Sequence, residues 1–330
     1  MTCSSLPSQV TKLLGRFAKV RQITCLGEAM IELSFDDAMS RTATVGVAGD
    51  VLNTAYYLRL FADPGVEVRF STALGNDPYS KRVLKFAEES NLLTDATVTR
   101  VDKTVGLYAI STDPSGERSF TYWREVSAAR TMMDDTALVE LLGRPDALFV
   151  SGITIAILPE SGRKLLLDWI KIYRVDGGLV VFDPNYRPAL WASPEVARSW
   201  MLEVMGECDL ILPSFDDECL LWSDPTVGHT ISRVITAGVP TGVVKNGGKG
   251  PVCFGFSCLA QVFEPATSVV DTTGAGDSFN GRFLAEIINA SPPAVALQKA
   301  HHTAVKVISS RGAILPTSAL TYSQASSDAQ

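Results

Sequence analysis

The chain has no run of about 18 consecutive apolar residues, the length a helix needs to cross a bilayer. Its longest apolar candidate, around Ala147 to Leu158, is broken by Ser151, Gly152 and Thr154, so no membrane partner is expected. Histidine is scarce, with three in 330 residues, and the six cysteines (Cys3, Cys25, Cys208, Cys219, Cys253, Cys258) fall without metal-ligand spacing. Several lie in apolar segments and read as free buried thiols of a reducing compartment, with the close pair Cys253 and Cys258 as strand packing. A dense Lys/Arg stripe is also missing, and the net charge is −7, which argues against nucleic acid as a partner. Neither a Walker A string nor a strand-to-helix Gly-x-Gly-x-x-Gly is present, which counts against P-loop and dinucleotide-binding folds. No internal repeat is evident, and low complexity is confined to the Ser-rich tail after Thr317.

What remains is 46% hydrophobic and long enough for one large core. Short apolar runs predict strands at Ile23–Leu26, Val68–Thr72, Ala147–Val150, Leu179–Phe182, Leu210–Leu212 and Gly242–Lys245. Amphipathic segments predict helices at Val51–Phe61, Tyr79–Ser90, Glu160–Tyr173, Pro194–Met205 and Ala275–Ile288. That alternation implies an α/β fold with a mainly parallel sheet covered on both faces and a ligand site at the strands' carboxyl ends. Two β-like runs, Val105–Thr112 and Arg118–Arg124, flank a turn cluster at 113–117 and predict a hairpin; the extended piece Ile31 to Val47 is expected to join it in a small sheet. Periodicity alone leaves open whether that sheet is a lid or an edge hairpin. Residues 1–21, basic and free of acids, superficially resemble an organelle transit peptide but read as a loosely ordered extension ahead of a cytoplasmic domain spanning 22–320; residues 321–330 read as a tail.

The most informative string is Asp271-Thr272-Thr273-Gly274-Ala275-Gly276-Asp277-Ser278-Phe279-Asn280. Its glycines leave backbone N–H groups free to converge on an anion at the start of the helix that follows. Asp277 would set a carboxylate beside that anion, where a general base for phosphoryl transfer is useful; a plain helix cap is the alternative. Val47-Ala48-Gly49-Asp50-Val51-Leu52-Asn53 repeats the theme, with Gly49 before a helix and Asn53 one turn in from Asp50. Tyr122 and Arg124 share one face of their strand, with Tyr108 on its partner, a grouping that suits a carboxylate clamp or an ordinary surface strand. Asp183-Pro184-Asn185-Tyr186-Arg187 is a stiff turn at a strand end, and Lys245-Asn246-Gly247-Gly248-Lys249-Gly250 is a flexible basic one.

Taken in order, these strings resemble the signatures of the ribokinase-like (PfkB) sugar kinases, and the pair Gly106-Leu107-Tyr108 and Phe120-Thr121-Tyr122-Trp123-Arg124 resembles the lid of the 2-keto-3-deoxygluconate kinases among them. The resemblance implies that Asp277 is the base and that Gly274, Ala275 and Gly276 form the anion hole. It assigns Gly49, Asp50, Asn53, Tyr108, Tyr122, Arg124 and Arg187 to the sugar acid. Asn185, Lys245, Gly247, Gly248 and Gly250 go to ATP, and either Asp217 or Glu218 to the Mg²⁺ and phosphate region. His301 and His302 fall in a late helix that borders the adenine site in the family, although packing or surface roles are equally compatible with them. The implied reaction is ATP-dependent phosphorylation of the C6 hydroxyl of 2-keto-3-deoxy-D-gluconate, with lid-mediated pairing of copies. Another sugar (fructose, ribose or a deoxy-inositol acid), or a non-catalytic scaffold, are the other readings. Ala48 departs from the family's paired glycines, which suggests a tighter loop there.

Overall fold

The computed structural model describes residues 8–35, 40–112, 118–256 and 261–321. The expected turn at 113–117, together with Cys3, Cys258 and the tail beyond residue 321, lies outside them.

Twelve strands form two sheets: β1 (Gln22–Leu26), β2 (Met30–Phe35), β3 (Thr44–Ala48), β4 (Glu67–Leu74), β5 (Thr97–Thr99), β6 (Gly106–Thr112), β7 (Arg118–Trp123), β8 (Ala147–Ser151), β9 (Leu179–Asp183), β10 (Leu210–Ile211), β11 (Gly242–Val244) and β12 (Val252–Phe254). The large sheet runs β12-β11-β10-β9-β8-β1-β4-β5, parallel except for β12. Its strands are apolar on both faces because both faces are covered. Ala147 and Phe149 of β8 join one core while Leu148 and Val150 join the other. The small sheet runs β3-β2-β6-β7, so the extended piece around Ile31 to Val47 does join the hairpin. Its own core is small, formed by Met30, Ala48, Tyr108 and Ile110, and the Ala48 methyl is spent there rather than on tightening the following loop.

Local chemistry explains where several helices start. Asp77 accepts from the N–H groups of Tyr79 and Ser80 at 2.9 and 3.0 Å with Pro78 in the first turn, and Ser193 caps the helix Pro194–Met205 in the same manner. The N-terminal segment departs from the loose extension expected of it. Residues 8–17 form a helix that buries Val10, Leu13 and Phe17 in the main core, and Arg16 donates to the Gly177 carbonyl at 2.9 Å. Two of the basic residues that suggested a transit peptide, Lys12 and Arg16, lie on this helix, and its apolar face decides its placement. Among the described residues no helix is long and apolar enough to cross a membrane.

One packing contact governs the centre of the molecule. The helices Asp50–Phe61 and Ala275–Ile288 cross at Gly281, where an added Cβ would stand 2.5 Å from the Thr54 carbonyl oxygen and 2.8 Å from the Leu58 nitrogen. Backbone atoms cannot swing aside as a side-chain tip can. Gly281→Ala should gain about 1 kcal/mol of helix propensity yet lose roughly 1–3 kcal/mol to overpacking. The expected outcome is a net loss in a denaturant melt, and an unchanged or higher midpoint would show that the helices separate without cost.

Candidate active site

The close approach at Gly281 brings two helix N-termini together over the carboxyl ends of β1, β8, β9 and β11. The space between them and the small sheet is a cavity of about 950 Å³. Gly49, Asp50, Asn53, Tyr108, Tyr122 and Arg124 line it from one side, and Asn185, Arg187, Lys245, Gly274, Ala275, Gly276 and Asp277 from the other. Gly247, Gly248 and Gly250 do not line it. They form a short turn beyond Lys245, with open space over Gly247 and Gly248.

Gly274 takes φ 76°, a left-handed conformation, and sits so close to Ala313 that any side chain would strike its backbone. Asp271 pins the loop from below, accepting from the N–H of Thr273 at 3.0 Å and of Gly312 at 2.7 Å. This kinked entry starts the helix abruptly, so the first-turn N–H groups of Gly276 and Asp277 have no intrahelical acceptor and face the cavity end.

Three carboxylates converge here, and each has its own compensation. Asn53 Nδ2 donates to Asp277 Oδ2 at 2.8 Å. Asp50 accepts from Asn185 Nδ2 at 3.1 Å and from the Ser151 hydroxyl. Asp183 Oδ2 accepts from Lys245 Nζ at 2.7 Å and Asn280 Nδ2 at 2.6 Å, and Lys245 also reaches Asn280 Oδ1 at 3.1 Å. At Asp277 withdrawal from water and the nearby Asp50 push the carboxyl up to about 7 despite the Asn53 hydrogen bond. Asp50 is raised as well, chiefly by desolvation.

Arg124 and Arg187, which line the cavity, are not free cations. Arg124, expected to clamp a ligand, gives Nη2 to the buried carboxylate of Glu28, whose other oxygen accepts from Ser127 Oγ at 2.5 Å. Its Nε is buried without a partner. Tyr108 donates its hydroxyl to Glu32, and its ring stacks on Tyr122 with centroids 5.6 Å apart. Arg187 is held by both oxygens of Asp217 at 3.0 and 3.1 Å. The cavity is therefore not the simple positive pocket that the arginines suggest, because Arg124, Arg130, Arg187 and Lys245 line it beside Asp50, Glu125, Asp183 and Asp277.

Two expectations shift. Asn185, assigned to nucleotide phosphates, turns to Asp50, helped by its positive φ of 34°. Glu218 is buried against Arg233, away from the cavity, which leaves Asp217 as the acid connected to it. His301 packs against Phe263 and meets the Glu264 carbonyl through Nε2 at 2.8 Å.

Glu28, Glu32 and Asn280 escaped the sequence reading. Glu28 and Glu32 interrupt an otherwise apolar stretch from Cys25 to Leu33, and a buried acid requires a partner, so the signal was present.

The pH dependence of stability carries a sign. A carboxyl near 7 in the folded state and near 4 when unfolded stabilises the fold below about pH 4, and that contribution is lost as pH rises to about 7. Asp277→Asn removes the cost of ionisation. Its melting temperature should exceed the parent's by a few degrees at pH 8, with a smaller or reversed difference at pH 5; a gap independent of pH would mean that Asp277 ionises normally.

Comparison with known proteins agrees with this geometry. Residues 20–320 match the pfkB family of carbohydrate kinases. The chain is 36% identical to the 2-dehydro-3-deoxygluconokinase of Haemophilus influenzae, covering 92% of this chain and 99% of that one. It is 37% identical to the enzyme of that name from Escherichia coli K12, covering 91% and 99%. Among solved structures, the 2-dehydro-3-deoxygluconokinase of Thermotoga maritima superposes with a TM-score of 0.77 at 21% identity, over 91% of this chain and 98% of that one. With two sheets in the same arrangement and a match that runs nearly from end to end, the chain belongs to the pfkB family of carbohydrate kinases.

Proposed function

We propose that the protein uses ATP and Mg²⁺ to phosphorylate the C6 hydroxyl of 2-keto-3-deoxy-D-gluconate, giving 2-keto-3-deoxy-6-phosphogluconate. The observation that carries the substrate is the Arg124 guanidinium. It lines the same cavity as Asp277, and with Nη2 on Glu28 and Nε enclosed it keeps Nη1 for a ligand, as a binder of a sugar's carboxylate would. The names of the relatives at 36% and 37% identity support the same substrate.

The residues present suit a nucleotide triphosphate. Lys245 Nζ lies 3.5 Å from where a side chain on Gly276 would begin, so a cation stands beside the unpaired N–H groups of the helix start. Gly247 and Gly248 leave open space for the rest of the nucleotide. Among the described residues no group of three or more His, Cys, Asp or Glu is placed to hold a metal, which suits a Mg²⁺ that is bound largely through phosphates, with Asp217 the nearest assigned acid. ATP supplies the transferable phosphoryl group and Mg²⁺ neutralises charge on it.

Asp277 accepts the proton of the attacking hydroxyl, and a carboxyl near 7 is well matched to that task at neutral pH. Asn53 holds the carboxylate in one orientation through its 2.8 Å hydrogen bond. The amides from Gly274 to Gly276 meet negative charge as it develops, and Lys245 sits beside them. The small sheet, read as a lid, excludes water that would otherwise compete with the sugar.

Two measurements test this reading. Asp277→Asn should lower kcat by about two to four orders of magnitude with little change in KM. The parent's kcat/KM should fall on the acid side with an apparent pKa near 7, belonging to the coupled Asp277 and Asp50 pair; substantial turnover by the variant would remove Asp277 from the role of base. In an ADP-release assay against 2-keto-3-deoxygluconate, gluconate, fructose and ribose, the parent should turn over the first selectively. Arg124→Ala should weaken that substrate by about 10- to 100-fold while affecting a neutral sugar far less. Equal losses on both would discard the carboxylate assignment and favour a neutral sugar.

A further inference from the structure

Four chain segments connect the small sheet to the large one: residues 27–29 ahead of β2, Gly49 after β3, the approach to Gly106 at the start of β6, and 124–127 after β7. All four meet at Glu28. Its backbone carbonyl lies so near Gly49 that a Cβ there would stand 2.3 Å from the oxygen. On the side-chain end, a Cβ on Gly106 would stand 2.9 Å from Oε1 and 3.4 Å from the Arg124 Cβ. Oε1 accepts from Ser127 Oγ at 2.5 Å, and Oε2 accepts from Arg124 Nη2. The residue is 1% exposed, so this carboxylate exchanges no contact with bulk water and its position is set by these neighbours alone.

A buried ion pair contributes little to stability compared with apolar packing, which makes its presence at this crossing a question of geometry. Arg124 has three nitrogens. With Nη2 committed to Glu28 and Nε enclosed by the protein, Nη1 is the nitrogen left for a ligand. Without the anchor the side chain has several rotamers, and a mobile guanidinium loses entropy each time it binds.

We propose that Glu28 is a positioning residue for substrate: it ties the four connections of the small sheet to the core and, through one carboxylate oxygen, holds Arg124 with Nη1 left for the sugar's acid group. The inference rests on the proposed acid-sugar reading for Arg124.

The test is a double-mutant cycle on 2-keto-3-deoxygluconate with Glu28→Gln, Arg124→Ala and both together, recording KM, kcat and melting temperature. Glu28→Gln should raise KM about tenfold with kcat changed less than threefold, and the double variant should be no worse than Arg124→Ala alone. Should Glu28→Gln fail to fold, Ser127→Ala replaces it in the same cycle. That change frees one carboxylate oxygen and should raise KM two- to fivefold, again without adding to Arg124→Ala. A KM within twofold of the parent, or losses that multiply with those of Arg124→Ala, overturns the role of Glu28. If Arg124→Ala itself leaves KM unchanged, the acid-sugar reading fails, an outcome distinct from the first.

Discussion

Negative charge gathered in one place is the constraint around which this molecule is arranged. Asp50, Asp183 and Asp277 reach the same cavity from a helix start, a strand end and a second helix start, and burial beside neighbouring carboxylates raises the proton affinity of Asp50 and Asp277. The fold meets that cost unevenly. Asp183 receives a lysine and an asparagine, Asp50 an asparagine and a serine, and Asp277 a single asparagine. Asp277, with its one asparagine, has its carboxyl raised to about 7, where it can exchange protons near neutral pH.

Holding this arrangement requires backbone precision of a kind that glycine supplies. Asn53 can reach Asp277 only because the two helices touch at Gly281, and the helix that carries Asp277 starts where Gly274 turns left-handed against Ala313. Around them the parallel sheet supplies rigidity, since apolar residues on both faces leave its strands little freedom to shift. The small sheet has a four-residue buried cluster and seats Ile31 in the main core, while Glu28 at its base ties it to Arg124 and Ser127.

Much of this was legible locally. Six of the eight strands of the large sheet announce themselves as short apolar runs, while the short β5 and β12 do not, and the helices 194–205 and 275–288 begin and end where caps and periodicity put them. Asp277 and its glycines were readable because an anion-binding helix start is written in consecutive residues. The less certain parts involve distance along the chain. Arg124 looks like an unpaired cation until Glu28, 96 residues earlier, is brought beside it, and Asn185 reads as a phosphate ligand until it is seen turned to Asp50, 135 residues away. The N-terminal basic stretch misled for a related reason: its charges are conspicuous in sequence, whereas the apolar face that seats residues 8–17 counts only once a core exists to receive it.

The amino-acid sequence by itself determined the layered α/β architecture, the small added sheet, the anion-binding helix start and the family, because each depends on residues within a few positions of one another or on periodic burial. Tertiary structure alone decided which carboxylate would be compensated by which amide, that Arg124 would give one nitrogen to Glu28, and that Asp217 rather than Glu218 would connect to the cavity through Arg187. Those outcomes rest on pairs of side chains up to 224 residues apart, whose electrostatic interaction has no magnitude until folding sets the distance and removes the water between them.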